Sequence, residues 1–114
     1  MKALSVRQPF ASLILAGRKV REYRNWATRH RGPIAVHAAG RLDRAALESL
    51  SGGDVAALGE LPLGVVLGTV EVVGVEELAV PVMGYRFAWV LANPVAWAEP
   101  VPAKGKLMLW EFAA

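Results

Sequence analysis

The sequence has 114 residues, of which 54% are hydrophobic and 20% charged, a composition that fits one ordinary globular domain and excludes a disordered chain. Its apolar runs are broken by Gly and Pro short of the roughly 20 residues of a bilayer span, and Arg7 and Gln8 interrupt the N-terminus before any signal-peptide core. The expectation is a cytoplasmic single domain over residues 1–114 with no membrane partner. Zero cysteines exclude a disulfide framework, two histidines are too few for a histidine-built metal centre, and no metal or other cofactor is expected.

The charge is unevenly placed. Through Arg44 there are ten Lys and Arg residues against Glu22 and Asp43, a net of +8; the remaining three cations face eight acids, a net of −5. Such polarity fits a basic region that meets a polyanion, or a solvated arginine-rich surface.

In chain order, Lys2 to Val6 alternates weakly and predicts a first strand. Pro9 then suits a first helical turn, Phe10, Leu13 and Ile14 recur at helical spacing, and Gly17 supplies a stop. The free N–H groups at this helix start lie beside Arg7, a combination suited to a phosphate or carboxylate, although taken alone the feature is better read as an ordinary capped helix. Val20 to Asn25 alternates as a strand does, placing Val20, Glu22, Arg24 and Trp26 on one side and Lys19, Arg21, Tyr23 and Asn25 on the other. Lys19 sits at the helix-to-strand junction, where irregular backbone decides whether it joins Glu22.

Trp26 to Gly32 reads as a basic loop ending in the Gly32-Pro33 turn, and Ile34 to Ala39 as a strand in which His37 is a hydrogen-bonded structural residue. Asp43 caps a predicted helix over 44–50, and a second short helix runs through Leu58. Pro62 and Gly64 introduce a strand over 65–75 with bends at Gly68 and Gly74, in which Glu71 is the one charge and is read as exposed. Pro81 and Gly84 predict a long loop over 76–85. Phe87 to Ala92 resumes as a strand with Trp89 and Leu91 on one face, while Pro94, Pro100 and Pro102 argue against strand beyond it. Lys106 to Phe112 closes the chain as a strand carrying Met108, Trp110 and Phe112. The sum is mainly β with two or three short helices, an α+β chain most economically built as a small closed or partly closed β-barrel.

The chemistry concentrates in Gly17 to Arg24, where one carboxylate stands among cations. An ionised Glu22 accepts hydrogen bonds and suits the exocyclic amine or ring N–H of a nucleobase. Arg24 or Arg7 would contact a phosphate or base carbonyl, with Tyr23 or Trp26 as a stacking surface. On these residues alone, a structural ion pair between Glu22 and Arg24 on one strand face is the favoured reading. A third reading is hydrolytic, with a desolvated Lys19 as the amine and Glu22 as proton shuttle. No glycine-rich phosphate loop, Ser-His-Asp arrangement or dinucleotide fingerprint is present.

Ser5-Val6-Arg7-Gln8-Pro9-Phe10, followed by Gly17, Lys19, Glu22 and Arg24, then Trp26, Arg31-Gly32-Pro33 and His37, resembles the ASCH family, whose hallmark is G-x-K-x-x-E-x-R. The resemblance implies a PUA-like barrel and RNA, or a nucleotide-like ligand, as partner. It also implies a cleft lined by Lys19, Glu22 and Arg24 with Arg7 and Gln8 nearby. A related branch hydrolyses N4-acetylcytidine with a lysine after the glycine, a threonine three positions on and a distant glutamate, and other members are assigned ribonuclease activity. Lys19 matches that branch, whereas Glu22 stands at the threonine position. Glu71, Glu76 and Glu77 compete for the distant carboxylate. Catalysis by Lys19 and Glu22 is therefore the second expectation after binding.

Overall fold

In the computed structural model, which describes residues 1–113, nine elements follow one another: β1 (Lys2–Gln8), α1 (Phe10–Leu15), β2 (Arg21–Arg24), β3 (Gly32–Leu42), α2 (Arg44–Glu48), α3 (Gly52–Ala57), β4 (Val65–Val82), β5 (Tyr85–Pro102) and β6 (Leu109–Glu111). The strands form one sheet in the order β2-β5-β4-β3-β1-β6, curled into a half-barrel of the PUA-like kind. Only β1 and β3 pair in parallel, with Leu4 opposite Val36. A parallel pair needs a crossover connection, and α1 and β2 lie within it.

Alternation along β1 and β3 fills both faces of the sheet. Leu4, Val6, Ile34, Val36 and Ala38 join Ala11 and Ile14 of α1, Leu67, Val70, Val72, Trp89 and Leu91 in the main core. Ala3 and Ala35 point the other way, against Val66, Trp110 and Phe112. Trp89 is fully buried, and its indole N–H donates to the Trp26 carbonyl at 3.0 Å, so its large apolar surface is gained without an orphaned donor. Truncating it to alanine removes about 3–5 kcal/mol on the scale of buried aromatics.

The basic β2 strand and the final strand sit toward opposite ends of the sheet. β6 covers β1 only at Lys2, Ala3 and Leu4. From Ser5 onward that edge of β1 is left for other partners, and this opening becomes the seam described below.

Several expectations need correction. Residues 76–85 are not a loop: β4 runs to Val82 and turns at Met83 and Gly84, whose φ values of 49° and 82° suit a two-residue hairpin turn, so Tyr85 pairs with Val82. Pro81 is accommodated in the irregular stretch between Glu77 and Val82, where the ladder lapses. Nor do Pro94 and Pro100 end β5, which runs on to Pro102. Beyond Leu91 the strand has β4 on one side only, and Pro94 and Pro100 fall within register shifts, so a missing N–H costs no ladder bond there. Gly68 marks one of these bulges, where a Cβ would collide with the Val95 carbonyl. The last strand is shorter than expected: Met108 lies before it with φ 58° and is exposed, whereas Trp110 and Phe112 are buried. The helix expected over 44–50 ends at Glu48, with Asp43 accepting from the Ala46 N–H at 3.0 Å as its cap. Its expected apolar stripe is only half covered, and neither α2 nor α3 buries a residue fully.

Candidate functional site

The end of α1 determines where Lys19 goes. Gly17 adopts φ +75°, its N–H donates to the Ile14 carbonyl at 3.0 Å, and the Arg18 N–H reaches back to Leu13 at 2.9 Å. This pair of bonds is a Schellman termination, which reverses the chain sharply out of the helix. The Lys19 N–H also bonds Leu13, at 3.2 Å. Lys19 is thereby held off the strand and folds back beside Glu22, so the junction residue joins the carboxylate. Val20 also lies before β2 and is exposed, so strand alternation does not apply to it.

Within β2, pairing with β5 sets Glu22 opposite the buried Trp89 and Arg24 opposite Phe87. Glu22 points inward, its side chain 8% exposed, and both carboxylate oxygens meet cations. Lys19 Nζ donates to Oε1 at 3.0 Å, while Arg24 donates to Oε2 from Nε at 3.0 Å and from Nη2 at 2.7 Å. Lys19 also donates to the Arg21 carbonyl, and its ammonium stands 5.2 Å from the Tyr23 ring centre and 5.6 Å from that of Phe10. Two aromatic faces thus complete the lysine's surroundings by cation–π attraction.

Arg24 reaches further, donating from Nη2 to the Ser5 carbonyl at 2.9 Å. The contact crosses from β2 at one end of the sheet to the uncovered edge of β1 near the other, so a polar bridge spans the seam of the half-barrel. The bridge leaves donors over. A guanidinium has five N–H groups and an ammonium three. Arg24 spends Nε and Nη2, leaving Nη1 with no partner among the described residues, and Lys19 retains one hydrogen. Every buried side-chain nitrogen or oxygen among the described residues has a partner, so Nη1 is reached by solvent. A carboxylate offers roughly four lone-pair sites, of which Glu22 uses three. The seam is a cluster with two cationic donors and one acceptor still free.

The other candidate residues are placed as follows. Gln8 is fully buried: its Oε1 accepts from the Ser12 N–H at 2.9 Å, and its Nε2 donates to Ser12 Oγ at 2.8 Å and to the Pro62 carbonyl at 3.1 Å. It holds the start of α1. Tyr23 is half-buried beside Lys19. Trp26 is half-buried and packs edge-on against Trp89, ring centres 4.7 Å apart, so most of its surface serves the core. Arg7 is exposed, outside the Lys19–Glu22–Arg24 cluster. Glu76 pairs with Arg21 at 3.0 Å, Glu77 is exposed and Glu71 is half-buried on β4. The carboxylate that meets Lys19 is Glu22. Two contributors escaped sequence reasoning, Phe10 and the Ser5 carbonyl. Phe10 was legible only as a helix-stripe residue, and a backbone acceptor carries no side-chain signal. Among the described residues no three His, Asp or Glu side chains converge as metal ligands.

A family model for the ASCH domain matches residues 4–100, which include most of β1, all of α1 and β2, and the whole seam cluster. The chain belongs to the ASCH domain family. Activating signal cointegrator 1 of Mus musculus is 29% identical over 126 aligned positions, and the Homo sapiens protein of the same name 28% over 131, each alignment covering 96% of this chain. The chain spans only 22% of the length of these relatives. ASCH membership supports a general RNA-binding reading. Among the described residues no helix is long and apolar enough to cross a membrane.

Proposed function

We propose that this ASCH domain binds RNA, or a nucleotide-like ligand, at the seam between β1 and β2. The observation that carries the reading is the unspent donors of Arg24 and Lys19, held in place by a buried carboxylate. Arg24 Nη1 and the third Lys19 hydrogen meet a phosphate or base carbonyl, while the last lone pair of Glu22 accepts a base N–H. Tyr23 offers a ring for stacking, with the half-buried edge of Trp26 beyond it. Arg7 adds positive charge next along β1, and Gln8 fixes the helix start from which the motif is hung.

Binding is favoured over hydrolysis by the state of Lys19. Its nitrogen is already engaged by the Glu22 carboxylate and a backbone carbonyl, contacts that place it as a hydrogen-bond donor toward a ligand. The test is titration of short single-stranded RNA at several salt concentrations. Affinity should fall as salt rises, and Arg24→Ala should weaken binding and reduce the salt slope by about 1. No binding at low salt would overturn the reading. Release of acetate from N4-acetylcytidine, or cleavage of RNA, by the intact chain and not by Lys19→Ala would establish the hydrolytic alternative.

A further inference from the structure

The face of β1 that carries Ser5 borders a cavity of about 530 Å3, walled by Ser5, His37, Gly40, Gly64, Lys104 and Lys106 among others. Its volume falls within the roughly 300–1,000 Å3 of small-ligand sites. No acidic residue contributes to the wall, whereas two lysines do. Lys104 and Lys106 are exposed, and neither enters an ion pair among the described residues. Two residues beyond Ser5 and Ala39 along β1 and β3, Arg7 and Arg41 are likewise exposed and unpaired among the described residues. Two cations without carboxylate partners among the described residues, Lys104 and Lys106, therefore line one concavity, in a chain whose cations near the seam are paired with Glu22, Glu76 or Asp54.

The Lys104-Gly105-Lys106 segment is fixed against the cavity floor. A Cβ at position 105 would stand 2.6 Å from Ser5 Oγ and 2.8 Å from His37 Cε1, so only glycine lets the backbone lie on this pair and bring a lysine to either side. The floor itself is rigid. His37 is buried, with Nδ1 3.0 Å from Ser5 Oγ and Nε2 2.7 Å from the Ala103 carbonyl, and the Trp110 indole donates to Ser5 Oγ at 3.1 Å. By contrast, a Cβ at Gly40 or Gly64 would meet nothing within 4 Å, so that side of the wall stands open.

We propose that this cavity binds a phosphate group, with Lys104 and Lys106 as its charged donors. Phosphate suits a site of convergent cations with no competing carboxylate, since each ammonium donates a charge-assisted hydrogen bond to an oxyanion. Ser5 is shared with the seam: its carbonyl holds Arg24 and its hydroxyl lines the cavity. The inference rests on the RNA reading only for the molecule that carries the phosphate, because free phosphate and an RNA phosphodiester present the same oxyanion.

The experiment follows the His37 ring and Gly105 amide NMR signals of the full chain during titration with inorganic phosphate, a 5′-mononucleotide and the matching nucleoside. Phosphate and the mononucleotide should shift these signals saturably and the nucleoside should not; in the Lys104→Ala/Lys106→Ala double variant, the affinity should fall about tenfold or more. Lys19→Ala should retain the inorganic phosphate response, which separates this site from the seam. Saturable shifts with inorganic phosphate but not with the mononucleotide still support the cavity and make free phosphate its ligand. The proposal is overturned if no anion moves the His37 and Gly105 signals, or if the double variant, shown folded by its spectrum, responds as the parent does.

Discussion

The seam cluster and the Trp110–Ser5–His37 network share one residue and differ in how they spend their hydrogen bonds. In the network, Trp110 donates to Ser5 Oγ, the pair Ser5–His37 shares a proton position, and His37 ends on the Ala103 carbonyl. The Ala103 carbonyl can only accept, so Nε2 carries the hydrogen, and both ring nitrogens are used. The seam has the same depth of organisation but keeps Arg24 Nη1 and one Lys19 hydrogen unspent. A polar group that has closed its account with its neighbours holds the fold together, whereas one with donors left over is available to a ligand. This is why the buried histidine reads as a fastening and the buried carboxylate as the anchor of a site.

Breaking each side of that comparison gives different signatures. Glu22→Ala removes the common acceptor of two cations that stay largely buried, and should cost about 3 kcal/mol in urea denaturation, near the lower end for a broken buried pair. His37→Ala leaves Ser5 Oγ and the Ala103 carbonyl without their partner and should cost about 2 kcal/mol, while the salt slope of RNA binding stays unchanged because no cation is lost. Tyr23→Ala should leave stability nearly intact and weaken RNA binding about tenfold, within the range of roughly 1–3 kcal/mol for one base stack. The smallest effect belongs to the exposed pair Lys2–Glu111, with atoms 2.8 Å apart. The hydrogen bond and charge of Lys2 lower the Glu111 pKa from 4.5, so its contribution is present above that pH and is lost as pH falls through the lowered value. Stability curves of the parent and Glu111→Gln should therefore differ slightly at neutral pH and converge in acid.

The sequence made some of this legible through local rules. Gly17 as helix stop, Asp43 as cap, the two faces of β3 and the shared face of Glu22 and Arg24 all follow from spacing and side-chain chemistry acting over a few residues. Lys19 did not, because its position depends on a six-residue Schellman return to Leu13 and not on strand alternation. The hairpin over 76–85 was hidden for a related reason. Pro81 and Gly84 are loop signals in isolation, but pairing with β5 and a left-handed Met83-Gly84 turn override them. The prolines of β5 misled because a proline is harmful only where a ladder bond is needed, and which edge is free is a property of the whole sheet. Ser5 was the least visible, since its part at the seam is played by a carbonyl oxygen.

Whether the unspent seam donors receive the ligand is read from the Arg24 Nε–H NMR signal while short single-stranded RNA is added. This signal should shift and saturate together with the Tyr23 and Lys19 amides, and the response should disappear at high salt. RNA that binds saturably while the Arg24 Nε–H, Tyr23 and Lys19 signals stay in place would contradict binding at the seam.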